Sequence, residues 1–549
     1  MQIKRYIQNS RKHPYFISGL LIIIIFGFLL IHKLGDIPNL FVDEATYMNE
    51  IRSIARHGTD MHGLHWPLYF AGIFGNGQSV EYAYLAAPLI KLFGFSITLA
   101  RLPMVLFTLL TMILILYMVQ SQSKPNSLGF WLILSLATSP WIFISARWIL
   151  DCNIAPLTLL LGVLALIQSW HVQQQRWSTI WTILSVFLIA ASLYGYMAGW
   201  LYIPIMLLLI AIYVLRQHKM TLVNLISYAI ILGLLAMPLI IFAYHFILLK
   251  DSTPGKFLWF SYPAMPVARM GSFIDFKAPH LIHTMLLNFV AGLQKYSSGS
   301  DGWPWNSVSG YGTIFPFLLG FSVLGILTPR RFLTNKAYDI KLVISLSLLA
   351  FLPLMFIITP NFNHWNFINW LLAILAGYGL YLVHTLLGRR FLLSFTPILV
   401  LMMTCFISLG YYGRLSPNET YFTSGDVSYH DLQKISTLMG SKHRLFTIDQ
   451  RVKTLQGYAM LSDKSAKSNQ QILSLSDNKK NFDLNNMSSH HRYGRIYDKT
   501  KLNKFYRRGD LLLVNSNNHQ FTTGKNAGKY RVAYQLNFMN HPYQVLVEK

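Results

Sequence analysis

Long apolar runs, separated by short polar breaks, dominate the first three quarters of the chain. The first runs from Tyr15 to Leu30 and is interrupted only by small residues. A helix needs about 20 apolar residues to cross the hydrocarbon core of a bilayer. That ruler predicts about 11 spans, near 15–33, 96–120, 127–144, 153–170, 178–195, 199–215, 222–247, 311–328, 341–358, 366–386 and 391–412. The first run is long and no small-residue cleavage site precedes Asp43, so it reads as a retained span rather than a signal peptide. Beyond 412 the pattern changes. The tail is polar and rich in Ser, Asn and Lys, with short strand-like runs at Arg444, Asp510 and Tyr530. The fold class expected is a multi-pass α-helical membrane protein over 1–412, with a small C-terminal α/β domain over 413–549.

Charge turns this pattern into a topology. Alternate connections carry Lys4, Arg5, Arg11, Lys12, Lys124, Arg176, Arg216, Lys219, Arg330, Arg331, Lys336, Lys341, Arg389 and Arg390, and one acid, Asp339. The positive-inside bias places them in the cytoplasm, with the N-terminus. The opposite, extracytoplasmic face then receives long loops at 34–95 and 248–310 and the tail. It also receives Asp43, Glu44, Asp60, Glu81, Asp151, Asp251, Asp275 and Asp301. Charged residues make up only 12% of the chain, about half the usual share of a soluble domain. The formal net charge is nonetheless +25, which suits both the cytoplasmic loops and attraction to an anionic surface or polymer. Cys152 and Cys405, the two cysteines, fall in or beside apolar runs and indicate no disulfide framework or zinc motif.

Several polar residues on the acidic face are candidates for chemistry. Asp43 and Glu44 follow the first span, where carboxylates are costly to bury. They suit a general base and its neighbour, and equally the first turn of a helix over Ala45–Arg56. Arg147 and Asp151 stand at i, i+4 spacing, which on a helix lets them pair; Asp151 then shapes a polar site while Arg147 faces a phosphate, or the two form a structural ion pair. In the loop 248–310, Lys256 and Arg269 are flanked by aromatics and prolines and suit an anionic leaving group; a solvated basic loop near lipid headgroups is the alternative. His364 begins a span beside Trp365, where it suits a phosphate or sugar contact or simply the aromatic belt. Glu81 and Trp303 are assigned to acceptor or sugar contact. His62 and His65 lack a third metal ligand in view, and no metal site is assigned.

In this order the motifs resemble a family. The Val42–Tyr47 segment, Tyr84–Gly94 followed by Ala100-Arg-Leu-Pro103, Arg147–Asp151, Asp301–Asn306 with Gly310–Gly312, and the Asn366–Gly377 span are similar to GT-C type integral-membrane glycosyltransferases of the polyprenyl-phosphate-sugar class. Protein O-mannosyltransferases and aminoarabinose lipid A transferases belong to that group. The resemblance covers 15–412 and departs at His364, where the bacterial branch often carries Arg. It implies that Asp43 is the catalytic base, that Glu44 supports it, and that Arg and Lys residues of the outer loops hold the lipid phosphate.

The expected reaction is inverting glycosyl transfer at the extracytoplasmic face of the cell membrane. The donor is a polyprenyl-phosphate-linked sugar, and the acceptor a cell-envelope glycopolymer, glycolipid or protein. No cofactor is required, a monophosphate leaving group does not demand a metal, and nucleic acid is not an expected partner. Two other readings remain: a lipid-linked sugar flippase, and a non-catalytic envelope-assembly protein. Acids gathered at one face, rather than near mid-bilayer, weigh against the flippase.

Overall fold

The computed structural model describes residues 14–38, 40–72, 77–120, 126–249, 253–263, 272–303, 305–413, 429–440, 443–447, 493–495, 506–516, 528–538 and 541–549. Among them, nine helices are long and apolar enough to cross a membrane. They are α1 (Pro14–Ile31), α4 (Ile97–Val119), α7 (Asp151–His171), α8 (Gln175–Leu193), α9 (Gly199–Arg216), α10 (Leu222–Ala243, prolonged by a π-turn to Leu248), α13 (Asn335–Ile357), α14 (Asn366–Leu387) and α15 (Arg389–Cys405, prolonged by a π-turn to Tyr411). A helix bonds its own backbone, which is what an apolar solvent requires of a spanning segment.

Two of the expected spans are shorter. The run near 127–144 forms α5 (Leu128–Ala137) and then α6 (Pro140–Ser145). The break is at Ser139, whose hydroxyl caps α6 by accepting from Ile142 N, with Pro140 as first residue of the new helix. The run near 311–328 is helical only over α12 (Leu318–Leu327). α12 packs closely against α14. A Cβ on Gly325 would stand 1.9 Å from the Leu375 carbonyl oxygen, and one on Gly379 2.0 Å from that of Phe321, so both positions need glycine.

The two ends of the bundle differ. At one end, Asp339 of α13 accepts hydrogen bonds from His171 (2.7 Å), Lys219 (2.8 Å) and Tyr213 (2.6 Å), joining three helices beside the basic connections. The other end carries Asp43 and the longer connections. There the chain forms α2 (Val42–His57), α3 (Glu81–Phe93), a hairpin of β1 (Gly255–Phe257) and β2 (Phe260–Tyr262), and α11 (Leu281–Ser298). The hairpin is bound to the first long loop: Leu68 N donates to Ser261 O at 2.8 Å, and Ser261 N to Trp66 O at 3.1 Å.

In the tail, α16 (Tyr429–Met439) accompanies five strands: β3 (Leu445–Thr447), β4 (Tyr493–Arg495), β5 (Leu511–Asn515), β6 (Tyr530–Phe538) and β7 (His541–Glu548). Their order is β4-β3-β5-β7-β6. β3 runs parallel to β4 and β5, while β7 runs antiparallel to β5 and β6. Arg444 and Asp510 pair at 2.7 Å and join the starts of β3 and β5. The three strand-like runs form β3, β5 and β6; β5 is a continuous apolar run, with Leu511 to Val514 all buried. Asn418-Glu-Thr and Asn486-Met-Ser, two short matches to the N-glycosylation acceptor pattern, lie outside the described residues.

Candidate functional site at the Asp43 end

Asp43 and Glu44 both occupy the first turn of α2, where the helix dipole favours acids. Helical rotation then separates them. Glu44 is fully buried and accepts from Arg101 Nε at 2.8 Å, Arg101 Nη2 at 2.6 Å and Ile149 N at 2.8 Å. Arg101 also donates to the carbonyls of Leu34 and Pro38 at 2.8 and 3.0 Å. The pair thus ties α2 to α4, to the end of α1 and to the turn before α7. Glu44 carries a structural bond network, and its carboxylate has no face towards solvent.

Asp43 is half-buried, about 100° around the helix from Glu44. Tyr47 lies one turn further along the same face, the i, i+4 relation. The Asp43 carbonyl accepts from Gln78 Nε2 at 3.3 Å, and Tyr47 donates to the Ser79 carbonyl at 2.6 Å. Ser79 N in turn donates to Asp151 Oδ2 at 3.3 Å. The consecutive residues Gln78 and Ser79 therefore bridge the first turn of α2 to the first residue of α7. Burial pushes the Tyr47 hydroxyl well above its ordinary value, and the nearby Asp151 and Glu81 charges add to it.

The expected Arg147–Asp151 helix pair is not what forms. Residues 147–150 make a turn, and α7 begins only at Asp151. Arg147 is fully buried and turned towards the end of α1. It donates to Leu29 (2.9 Å), Leu30 (2.5 Å), His32 (2.7 Å) and Ile37 (2.8 Å) carbonyls, with the rings of Phe143, Tyr411 and Tyr412 around its guanidinium. These bonds use its four Nη hydrogens on backbone.

Glu81 opens α3 and is buried, with neither carboxylate oxygen hydrogen-bonded among the described residues. Burial pushes its carboxyl up to about 8. A Cβ on Gly195 would stand 2.0 Å from Glu81 Oε2, so the turn after α8 closes over the acid. Two further acids shape the first loop. Glu50 accepts from Met61 N at 2.9 Å, and Asp60 from the amides of His62 and Leu64 at 2.9 and 2.8 Å. Burial, followed by the Asp60 charge, raises the Glu50 carboxyl well above its ordinary range.

Trp303 is 46% exposed and starts an aromatic row. Its ring lies 4.6 Å from Trp305, which stacks at 5.1 Å on Phe41, two residues before Asp43; Phe41 meets Trp148 at 5.8 Å. Asp301 holds the start of this row. Its carboxylate accepts from Trp303 N (3.0 Å), Asn306 Nδ2 (2.7 Å) and Phe362 N (2.9 Å). Asn363 then bonds Asn306 at 2.5 Å, and Asn366 bonds the Cys152 carbonyl at 2.8 Å, which connects the row to the start of α7.

His364 sits in this turn, with Nδ1 2.8 Å from the Thr359 carbonyl and Nε2 3.4 Å from Ser272 Oγ. Lys256 is exposed on β1, in a hairpin whose described backbone bonds run to 66–68. Arg269 lies outside the described residues. Among the described residues, no three His, Cys, Asp or Glu side chains gather as metal ligands. Sequence reading missed Arg101, Tyr47, Gln78 and Ser79. The i, i+4 spacing of residues 43 and 47 was a signal that could have found Tyr47; the other three are brought in by tertiary contacts.

No family model matches the sequence, and no curated protein matches it. The fold is nevertheless shared with solved structures. ArnT from Cupriavidus metallidurans, bound to undecaprenyl phosphate, superposes with a TM-score of 0.58 at 12% identity, covering 96% of this chain and 97% of that one. The same protein in its apo state gives a TM-score of 0.54 at 11% identity over 96% and 97% of the two chains. A looser likeness, with a TM-score of 0.47 and 11% identity over 97% of this chain and 74% of the other, is to an oligosaccharyltransferase from Archaeoglobus fulgidus tethered with an acceptor peptide. The chain has a GT-C-like fold.

Proposed function

We propose that this protein is a GT-C glycosyltransferase that moves a sugar from a polyprenyl-phosphate donor to a cell-envelope glycopolymer, glycolipid or protein. The observation that carries the reading is the link from the Asp43 main-chain carbonyl through the consecutive residues Gln78 and Ser79 to the Asp151 carboxylate, beside an aromatic row whose Trp303 end is exposed. The likeness in fold to ArnT holding undecaprenyl phosphate supports the class of donor. The charge bias of the loops supports an extracytoplasmic position for this end in the cell membrane.

In this reading Asp43 takes the proton of the acceptor hydroxyl. The oxygen attacks the anomeric carbon, the bond to the phosphate oxygen breaks, and polyprenyl phosphate leaves on the opposite side, so the anomeric centre inverts. Asp151 helps fix the polar floor of the site. Glu44 acts only by holding the start of α2. Trp303 and Trp305 offer ring faces on which a sugar stacks. Glu81, closed in under Gly195, acts from beneath the site rather than on the acceptor. With Arg147 spent on carbonyls, neutralising the leaving phosphate falls to Lys256 and Arg269, with His364 as a further donor.

Asp43→Asn tests the base. Mass spectrometry of envelope polymers and lipids from cells carrying each form should show transfer reduced about 100- to 10,000-fold, the usual contribution of a general base, with binding of polyprenyl phosphate intact. Retention of near-normal transfer by Asp43→Asn would remove Asp43 from the chemistry. Transfer lost together with donor binding would assign it to the donor instead.

A further inference from the structure

Helices α9 and α10 are consecutive but pack on different neighbours. α9 lies on α13, with Tyr202 donating to the Ser347 carbonyl at 3.1 Å, and α10 lies on α8, where Tyr228 and Ser185 share a 2.8 Å hydrogen bond. The two helices splay, and an apolar cavity of about 420 Å³ remains between them. Pro204, Leu207, Ala211 and Val214 form one wall, Leu225 and Ala229 the other. Its volume falls in the range of small-molecule sites. Leu208 and Ile226, which also line it, are 61% and 50% exposed, so the space opens sideways to the bilayer. With Tyr228 satisfied by Ser185, it presents hydrocarbon to its occupant.

The lower limit of this space is the Gln217–Thr221 turn, where Met220 is part of the lining. Around it stand Arg216, in the last turn of α9, and the exposed His218, at a positive φ of 51°. Lys219 is here too, paired with Asp339. Asp339 is the single acid in the connections at this end. It already accepts from His171, Lys219 and Tyr213, so the rim is positive overall. The turn also opens α10, whose N-terminal amides add a partial positive charge. An apolar slot in the membrane and a cationic rim one turn away match a molecule that joins a hydrocarbon chain to an anionic head.

We propose that the α9–α10 groove is a binding site for an anionic phospholipid of the leaflet at the Asp339 end, with one acyl chain in the slot and the phosphate at Arg216 and the Gln217–Thr221 turn. The site is separate from the Asp43 end and independent of the reaction proposed there.

Native mass spectrometry of the full-length, delipidated protein tests this, with phosphatidylglycerol and phosphatidylcholine of equal chain length as probes. One phosphatidylglycerol should be retained per chain in preference to phosphatidylcholine, by roughly fivefold for each cation engaged. Ala211→Trp, which fills the slot, should abolish retention of both lipids. Arg216→Gln alters an exposed residue and should keep chain binding while reducing the headgroup preference. Equal retention of the two lipids, an unchanged preference in Arg216→Gln, or displacement of phosphatidylglycerol by equimolar undecaprenyl phosphate would each overturn the proposal.

Discussion

Replacing Glu44 tests whether it is a structural acid, distinct from the general base proposed at Asp43. Its carboxylate accepts three hydrogen bonds of 2.6–2.8 Å, two of them from Arg101, and both side chains are fully buried. Glu44→Ala leaves the guanidinium in the protein interior without a counter-charge and the Ile149 amide without an acceptor. Breaking a buried pair from one side costs about 3–5 kcal/mol, which is roughly two to four orders of magnitude in the folded-to-unfolded ratio. The loss should appear as a marked drop in the melting temperature of the detergent-solubilised protein, followed by tryptophan fluorescence. The double variant Glu44→Gln with Arg101→Met removes the uncompensated charge and should recover much of that stability. Asp43→Asn should melt like the parent. If Glu44→Ala melted like the parent and lost sugar transfer, Glu44 would be chemical rather than structural, and the assignment of roles within the pair would be refuted.

Three other outcomes follow from the same contacts. The Glu81 carboxyl keeps its proton to about pH 8 when folded but loses it near 4.5 when unfolded, so its contribution is complete below pH 4.5 and is lost as pH rises towards 8; Glu81→Gln should flatten the melting-temperature profile across that window and be the more stable form at its alkaline end. Asp301→Ala strands the amides of Trp303 and Phe362, at about 1–3 kcal/mol for each buried donor left unsatisfied, and hydrogen exchange read by mass spectrometry should quicken at 299–306 and 361–366, while unchanged exchange would show that the aromatic row stands without it. Arg147→Gln removes the four carbonyl bonds and should lower the melting temperature; a variant that melts normally but binds undecaprenyl phosphate weakly would return Arg147 to the phosphate.

Much of the fold was legible because its signals are local. Apolar runs of spanning length mark nine of the helices, and the two runs that fall short are cut where a capping serine precedes proline or where a loop of glycines and aromatics intervenes. The helix over Ala45–Arg56 appears as Val42–His57, and three strand-like runs of the tail appear as β3, β5 and β6. The site was less legible. The Arg147–Asp151 spacing suggested a helical pair, but spacing has that meaning only inside a helix, and the helix starts at Asp151 itself.

By itself, then, the sequence determined that this chain crosses a membrane many times, that the loop acids other than Asp339 gather at one end while the connections at the other are basic, and that Asp43 and Glu44 open a helix beside the first span. Hydropathy and net charge act residue by residue, so they can be read in order along the chain. Only the tertiary structure decided that Glu44 is held in a buried pair with Arg101 while Asp43 stays half-buried. Arg101 reaches Glu44 from 57 residues away, and Asp151 meets Ser79 across 72. Such partnerships depend on which helix faces converge once the bundle packs, and the rotation of about 100° per residue turns two adjacent carboxylates towards different neighbours.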